Sequence, residues 1–207
     1  MDDGIHGVIV DFGGVLAKHP TEEGLARLGA ASGIDAGLFA DAWRRHRRPY
    51  DLGEVTAAAY WRLVAGRSCD SELLERLIAE DAECWATPNE PVVGWLETLK
   101  AAGLRLALLS NVPRELWARL VDGLRWLELC EVVTLSYELE LAKPDSAIYR
   151  NCLDRLGLAP HQALFVDDHP DNVEAAETIG LQAVLFTDVA RLRRELRSRF
   201  GGQIPLP

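Results

Sequence analysis

The folds open to this 207-residue chain are limited most by one short stretch, Val8–Leu16, which reads VIVDFGGVL. Its apolar β-type start is typical of a strand buried on both faces of a parallel sheet. A carboxylate is unfavourable in the middle of a buried strand, so we expect Asp11 at the carboxyl end of this one. Ligands of open α/β sheets bind outside those ends, and Gly13 and Gly14 let the backbone approach a ligand closely. The stretch therefore predicts a ligand site at Asp11.

Two later apolar runs also end in polar residues. Residues 104–109 lead into Ser110 and Asn111, and residues 163–166 lead into Asp167 and Asp168. Asp, Asn and Gly favour loops, so any one of these ends is explained by ordinary turn chemistry. Three strands that deliver such groups to the same edge of a sheet indicate a functional site instead. Lys143-Pro144 adds a fourth polar element between the second and third runs.

Strands that alternate with helices predict an α/β fold with a doubly wound, Rossmann-like parallel sheet. We predict its strands at residues 5–11, 104–109, 131–135, 163–167 and 183–186. Between the first two lie four short predicted helices, at residues 21–33, 35–48, 54–65 and 70–85, with a turn at residues 49–53. We therefore assign residues 1–17 and 89–207 to the core and residues 18–88 to an inserted all-helical unit. From Gly201 onward we expect a loose tail.

Composition and charge exclude several function classes. The net charge of −10 argues against broad nucleic-acid binding, which needs a basic face. No apolar run approaches the roughly 20 residues of a membrane span. The acidic start, Met1-Asp2-Asp3, lacks the basic region of a signal peptide, so we expect a cytoplasmic protein. The four cysteines lack metal-ligand spacing and are expected to be reduced thiols.

Four motifs in order carry a resemblance to a known family. They are D-x-x-G-V from Asp11, S-N from Ser110, K-P from Lys143, and D-D-x-x-x-N from Asp167 to Asn172. Together they resemble the haloacid dehalogenase-like superfamily over residues 5–17 and about 90–187. The resemblance implies a Rossmann-like core, a small helical cap at residues 18–88, and a Mg²⁺-dependent phosphohydrolase acting on a small phosphorylated molecule.

The resemblance also implies roles for individual residues. Asp11 would be the nucleophile that forms an aspartyl-phosphate, and Lys143 would bridge it to the phosphoryl group as a point charge. The Mg²⁺ ligands would be Asp11, Asp168 and the backbone carbonyl of Gly13, and the phosphoryl oxygens would be held by Gly14, Ser110 and Asn111. Asp167 would either hold Lys143 or cap the helix that follows it.

One position departs from the family pattern. Phosphatases of this family usually carry a second aspartate two residues after the nucleophile, as general acid and base, and here that position is Gly13. Without this acid we expect a preference for leaving groups that tolerate negative charge, such as those of sugar 1-phosphates. His19 is either a substitute proton donor, since histidine titrates near neutrality, or an exposed hinge residue.

Other interpretations stay open. A haloacid dehalogenase shares the aspartate, Ser-Asn and lysine motifs and a tyrosine, here Tyr149, but such enzymes need no metal and lack the paired Asp167-Asp168. A non-catalytic binding protein on this scaffold is suggested by Gly13. The cationic run of residues 43–48 is either a solvated helix face, with Trp43 in the core of the insertion, or a lining that meets an anionic substrate.

Overall fold

Five parallel strands form the centre of the structure, a computed structural model that describes residues 4–207. The strands are β1 Gly7–Val10, β2 Arg105–Ser110, β3 Val132–Leu135, β4 Ala163–Asp167 and β5 Gln182–Leu185. Their order across the sheet is β3-β2-β1-β4-β5, so β1 lies in the middle and pairs with β2 and β4. This is the predicted doubly wound α/β fold, and each predicted strand is found within about two residues of its expected position.

Five helices follow β1 before the chain returns to the sheet. They are α1 Glu22–Ser32, α2 Ala36–Arg45, α3 Arg47–Asp51, α4 Ala57–Ala65 and α5 Ser71–Cys84. Their buried faces form a hydrophobic cluster of their own, which includes Leu28, Phe39, Trp61 and Leu77. We call residues 18–88 the helical unit, and we retain its predicted boundaries as a prediction.

The helical unit leaves and rejoins the sheet at a single place. Ala17 and Pro88 form an isolated antiparallel bridge. The amide of Lys18 donates to the carbonyl of Thr87 at 2.9 Å, and the amide of Asn89 donates to the carbonyl of Leu16 at 2.8 Å. The two connections therefore run side by side, close to where the sequence predicted the limits of the insertion.

Six further helices belong to the sheet-containing part of the chain. They are α6 Glu90–Ala101, α7 Arg114–Leu120, α8 Ser136–Leu139, α9 Ser146–Leu156, α10 Pro170–Thr178 and α11 Val189–Phe200. They cover the sheet on both faces, because Val8 and Val10 of β1 pack into one hydrophobic cluster and Ile9 packs into another. Within residues 4–207 no helix has the length and apolar character that crossing a membrane requires.

Local signals placed the first helix correctly. Thr21 caps α1, where its Oγ1 accepts a hydrogen bond from the amide of Gly24 at 3.1 Å. Gly33 ends the helix with φ at 73°, in the left-handed region that glycine adopts readily.

The prediction for the second helix was wrong, because the helix expected at residues 35–48 ends at Arg45 and the expected turn at residues 49–53 begins inside α3. Pro49 is tolerated there because it falls in the first turn, where its missing N–H has no partner to lose.

The expected loose tail is also wrong. Ile204 is only 1% exposed, and the carbonyl of Pro205 accepts a hydrogen bond of 2.6 Å from the indole Nε1 of Trp95. Trp95 itself is buried in the cluster between α6 and the sheet. The end of the chain thus satisfies a polar group at the edge of the core and fills an apolar site, which sequence composition alone does not reveal.

We predict that Ile204→Ala destabilises the protein by about 2–5 kcal/mol, because truncating a buried isoleucine loses apolar contact and leaves a cavity. Urea unfolding measures the change in the free energy of unfolding. The matched control is Gln203→Ala, since Gln203 is exposed and is expected to change stability by less than about 0.5 kcal/mol. Equal stability of the two variants would contradict the packed tail.

Candidate active site

The predicted site residues lie together at the carboxyl ends of the central strands. Asp11 follows β1 directly, Ser110 is the last residue of β2, and Asp167 is the last residue of β4. Asp168 comes next, and the loop that carries Lys143 reaches the same edge of the sheet. Because all five strands are parallel, their carboxyl ends meet on one side, and the structure brings these residues together at the edge where the sequence placed them.

Lys143 lies between two carboxylates. Its Nζ is 2.7 Å from Oδ1 of Asp11 and 2.6 Å from Oδ2 of Asp167, and its side chain is only 1% exposed. Burial alone would lower the pKa of Lys143, but the two neighbouring carboxylates outweigh burial and raise the pKa above its usual value. The lysine is therefore a fixed positive charge beside Asp11.

Asp167 uses both of its carboxylate oxygens within the protein. Oδ2 binds Lys143, while Oδ1 accepts a hydrogen bond of 2.8 Å from the amide of His169 and one of 3.0 Å from Nδ2 of Asn172. The sequence offered two roles for Asp167, holding Lys143 or capping the next helix. The side chain contacts both the lysine and the start of α10. A fully buried carboxylate with no free oxygen can orient Lys143 but has little capacity left for a ligand.

The side chain of Asn111 holds the backbone of Lys143. Its Nδ2 donates to the carbonyl of Lys143 at 2.9 Å, and its Oδ1 accepts from the amide of Lys143 at 2.9 Å. A guanidinium nitrogen of Arg48, from the helical unit, donates to the same carbonyl at 3.1 Å. The side-chain amide of Asn111 is thus engaged with the main chain, and a contact of its backbone N–H with the phosphoryl group stays a prediction. Ser110 is buried and lies in the cavity wall.

The carboxylates of the site outnumber its cations. Oxygen atoms of Asp11, Asp167 and Asp168 lie within 4.8 Å of one another, and Lys143 balances only one of the three charges. Because Asp167 is already saturated by hydrogen bonds, Asp11 and Asp168 are the two carboxylates left to face a cation. One or two carboxylates are the usual protein ligands of Mg²⁺, which keeps several waters, so the donor set fits this ion.

The same charge imbalance acts on Asp11. Burial raises its pKa, Lys143 opposes that effect, and repulsion from Asp167 and Asp168 adds to it, so that the pKa rises to about 8. The Oδ1 of Asp11 also accepts a hydrogen bond of 2.7 Å from the amide of Phe12. A divalent cation between Asp11 and Asp168 would favour the ionised carboxylate and lower this pKa again.

The two glycines after Asp11 are constrained in different ways. Gly14 has φ at +78°, and a Cβ there would lie 2.5 Å from Oδ2 of Asp168, so only glycine lets Asp168 approach. Gly14 lies against Asp168 and His19 and is not among the described residues that line the cavity. A Cβ at Gly13 would lie 2.9 Å from Cζ3 of Trp85, which the helical unit contributes. Trp85 thus occupies the space beside the position where related phosphatases carry an acid.

His19 reaches the site from the start of the helical unit. Its Nε2 is 3.2 Å from Oδ2 of Asp168, although 64% of the histidine side chain is exposed. The hydrogen bond with Asp168 raises the pKa of His19 above its usual value, against a smaller opposing effect of burial. Its position at the cavity is compatible with the substitute donor considered from the sequence.

Residues of the helical unit and of the sheet-containing part together line an open cavity of about 620 Å³ at the site. Trp43 and Trp85 stack on its wall with ring centroids 6.3 Å apart and planes 25° from parallel. Arg44, Arg47 and Arg48 also line the cavity, although Arg44 and Arg48 are exposed to solvent as well, whereas the exposed Arg45 lies outside the lining and pairs with Asp41. The run of residues 43–48 is therefore divided between a cavity wall and a solvated surface, so neither sequence interpretation describes all of it.

We predict that the metal-free protein loses stability as the pH rises from about 5 to about 8. The pKa of Asp11 is 3.8 without its folded surroundings and about 8 within them, so the folded state binds more protons in this range. The stability contributed by the protonated Asp11 is lost progressively over this range, and the loss is complete once the pH exceeds the folded pKa. Urea unfolding in a chelating buffer measures it.

The matched control for this titration is Asp11→Asn, which keeps the shape of the side chain but cannot ionise. Its stability is expected to lack the component of the pH dependence that Asp11 contributes. Added Mg²⁺ should reverse the trend in the wild type, since a cation binds the ionised carboxylate. Parallel pH profiles of the two metal-free proteins would show that Asp11 is ionised throughout.

Comparison with known proteins agrees with this geometry. A family model described as haloacid dehalogenase-like hydrolase matches residues 5–180. Among solved structures, a haloacid dehalogenase family enzyme of Bacteroides thetaiotaomicron, in complex with magnesium and inorganic phosphate, superposes with a TM-score of 0.69 at 21% identity, covering 89% of this chain and 95% of that one. An L-2-haloacid dehalogenase of Xanthobacter autotrophicus gives a TM-score of 0.69 at 21% identity, covering 97% and 84% of the two chains. At such identities the likeness shows the fold alone.

Curated relatives include different activities. The (S)-2-haloacid dehalogenase 1 of Pseudomonas sp. strain CBS-3 is 25% identical over 192 residues, which cover 86% of this chain and 80% of the relative. The phosphoglycolate phosphatase of Escherichia coli K12 is 31% identical over 116 residues, 56% of this chain and 46% of the relative. The drimenol cyclase drtB of Aspergillus calidoustus is 25% identical over 203 residues, 95% of this chain, but the match spans only 37% of the cyclase. A match to rat bifunctional epoxide hydrolase 2 spans 27% of that protein. By its matching family model, its fold and its cluster of aspartates around a buried lysine, the chain belongs to the haloacid dehalogenase-like hydrolases.

Proposed function

We propose that the protein is a Mg²⁺-dependent phosphohydrolase of small phosphorylated molecules. The observation that carries the proposal is the pair of carboxylates, Asp11 and Asp168, that face each other beside a lysine whose charge is already shared with Asp167. Such an excess of negative charge repels a phosphate until a cation is bound, and a divalent cation held by oxygen ligands is the simplest remedy. Mg²⁺ at Asp11, Asp168 and the backbone carbonyl of Gly13 would neutralise charge on the nucleophile and on the phosphoryl oxygens.

The side chains of the site suit phosphoryl transfer by displacement. Asp11 attacks phosphorus, its carboxylate oxygen forms a bond to phosphorus, and the bond from phosphorus to the leaving oxygen breaks with its electron pair. Lys143 stabilises the charge on Asp11 and on the transferred group, while Asp167 and Asn111 keep the ammonium group in place. Water then attacks the aspartyl-phosphate, releases phosphate and restores Asp11. Such catalysis depends mostly on positioning and charge, both of which the buried lysine provides.

A second candidate is a dehalogenase, which the coverage of the Pseudomonas relative favours. Two observations weigh against it. Tyr149, which the sequence offered as a shared residue, is fully buried, donates to the carbonyl of Asn172 at 2.9 Å and packs on Phe165 away from the cavity. Asp168 also adds a negative charge to the site. In a metal-free reaction this charge would not help to bind a haloacid, whose own carboxylate is negative. A non-catalytic role is disfavoured because Asp11, Lys143 and Asp167 keep a complete network of contacts.

We predict that the wild type hydrolyses phenyl phosphate only in the presence of Mg²⁺ and that Asp11→Asn lowers the rate by at least about a thousandfold. Asp168→Ala should weaken Mg²⁺ binding strongly in calorimetry, because it removes one of the two free carboxylates. Release of inorganic phosphate measures the hydrolysis rates of the wild type and of Asp11→Asn. Turnover of 2-chloropropionate without metal, and none of phenyl phosphate with it, would favour the dehalogenase instead.

The covalent role of Asp11 has its own measurement. Beryllofluoride mimics an acyl phosphate, so with Mg²⁺ it should raise the unfolding temperature of the wild type. Asp11→Asn should gain little, while a remote surface variant such as Gln203→Ala should respond like the wild type. Equal protection of the wild type and Asp11→Asn would count against an aspartyl-phosphate.

The surroundings of Gly13 bear on the choice of leaving group. No side chain at this position can donate a proton, and Trp85 closes the space beside it. A positioned general acid is typically worth about 10²–10⁴ in rate, and a leaving group that tolerates negative charge depends on it least. We therefore propose that aryl phosphates, acyl phosphates and sugar 1-phosphates are hydrolysed in preference to primary alkyl phosphates.

We predict that kcat/KM for glucose 1-phosphate and for phenyl phosphate exceeds that for glucose 6-phosphate by about 10²-fold or more. Gly13→Asp alone collides with Trp85, so the informative variant combines Gly13→Asp with Trp85→Ala and is compared with Trp85→Ala alone. The added aspartate should raise activity on glucose 6-phosphate selectively. Efficient hydrolysis of glucose 6-phosphate by the wild type, undiminished in His19→Ala, would show that no acid is missing.

A further inference from the structure

The arginines of the helical unit differ in how their charges are used. Arg45 pairs with Asp41 at 2.7 Å, and Arg47 pairs with Asp51 at 2.9 Å and with Asp81 at 2.8 Å. In contrast, Arg44 and Arg48 have no carboxylate within 4.0 Å among residues 4–207, and both line the cavity over the site. Arg47 lines the cavity as well, but its charge is used by two carboxylates, so Arg44 and Arg48 are the lining arginines that lack a carboxylate partner.

The carboxylates on this side of the cavity are already engaged. Asp51 lines the cavity and lies near Arg48, but its carboxylate binds the half-buried Arg47. Asp81 is only 2% exposed and receives a second hydrogen bond from the indole of Trp43. Three positive charges therefore meet two negative charges on this side of the cavity, and a net positive charge remains. The cations are Arg44, Arg47 and Arg48, and the anions are Asp51 and Asp81. In a cleft with low-dielectric walls such an excess acts on a bound anion more strongly than on an open surface.

The remainder of this wall is apolar and aromatic. Trp43 and Trp85 stack on each other, and Leu25 and Leu116 also line the cavity. The helical unit contributes no serine, threonine, asparagine or glutamine to the cavity lining found among the described residues. An apolar or aromatic body needs no hydrogen-bonding partner on this wall and can pack directly against the two tryptophan rings.

We infer that Arg44 and Arg48 form a second anion subsite, so that the preferred substrate is a phosphoester with an apolar or aromatic body and a second acidic group. This inference rests on the proposed phosphohydrolase function and names its substrate class. The phosphoryl group lies at Asp11 and Lys143, the body lies against Trp43 and Trp85, and the second acid pairs with the arginines. Planar guanidinium groups suit carboxylate and phosphate equally, and aryl substrates also meet the leaving-group preference.

A matched series of aryl phosphates isolates the charge of the second group. We compare 4-(carboxymethyl)phenyl phosphate with its neutral amide, 4-(carbamoylmethyl)phenyl phosphate, since the two differ little in size and in the acidity of the leaving phenol. The wild type is expected to favour the acid by about tenfold in kcat/KM, mainly through KM, the gain expected of one charge-assisted contact. Addition of salt should reduce this preference.

The variants are Arg44→Gln and Arg48→Gln, with Arg45→Gln as the matched control on the same helix as Arg44. Each of the first two should bring the acid-to-amide ratio towards one, while Arg45→Gln should retain it. The ratio within one variant cancels any loss of rate that Arg48→Gln causes through its contact with the carbonyl of Lys143. A ratio near one in the wild type, or an equal loss of the ratio in Arg45→Gln, would overturn the subsite.

Binding of stable phosphonates separates this inference from the proposed reaction. Calorimetry with Mg²⁺ compares benzylphosphonate with 4-(carboxymethyl)benzylphosphonate, neither of which is hydrolysed. Tighter binding of the carboxylate by about tenfold, lost in Arg44→Gln, supports the subsite even where no phosphate ester is turned over. Hydrolysis of phenyl phosphate without any such difference in affinity would leave the proposed function intact and refute the second anion subsite.

Discussion

The structure depends most on one buried cation, Lys143, held between Asp11 and Asp167. An isolated buried charge costs several kcal/mol, about as much as a small protein's whole margin of stability, so the ammonium group and its partners must be positioned together. Strand β1 supplies one carboxylate and strand β4 supplies the other, while Asn111 after β2 fixes the lysine's backbone. Three neighbouring strands must therefore be in register before the charge of the lysine is paired. The strand order that builds the sheet is thus the same order that assembles the polar groups at its edge.

The sequence revealed the sheet and the site because both depend on local patterns. Buried parallel strands appear as apolar runs, and polar residues that end such runs meet at one edge, so Asp11, Ser110 and Asp168 could be located without a structure. The hydrogen bonds of the Asn111 side chain to the backbone of Lys143 were not foreseen, because nothing local shows that this backbone needs a partner. The same applies to Trp85, whose contact with Gly13 joins positions 72 residues apart in the chain. The short helix α3 and the packed end of the chain escaped prediction for the same reason, since tertiary contacts decide them.

The helical unit contacts the candidate site through hydrogen bonds as well as through the wall of the cavity. Arg48 donates to the carbonyl of Lys143, and the hydroxyl of Ser136 accepts from the amide of Val112 while it donates to the carbonyl of Asp51. These contacts tie α3 to the loops that follow β2 and β3. Arg48, which lines the cavity from α3, therefore also holds the backbone of the lysine. This explains why the arginine run could not be assigned as a whole, because adjacent arginines on short helices serve the surface, the interior and the cavity in turn.

The side-by-side bridge of Ala17 and Pro88 has a consequence for how such a protein changes over evolutionary time. An insertion whose two ends meet at adjacent residues closes its own loop and imposes no new distance on the sheet. The helices between the two ends can be lengthened, recombined or replaced while β1 and α6 keep their places. Substitutions in these helices then leave the pairing of the strands unchanged, provided that the few contacts with the loop of Lys143 are kept. Proteins with this arrangement can diversify in what they bind while the reacting atoms stay where they are.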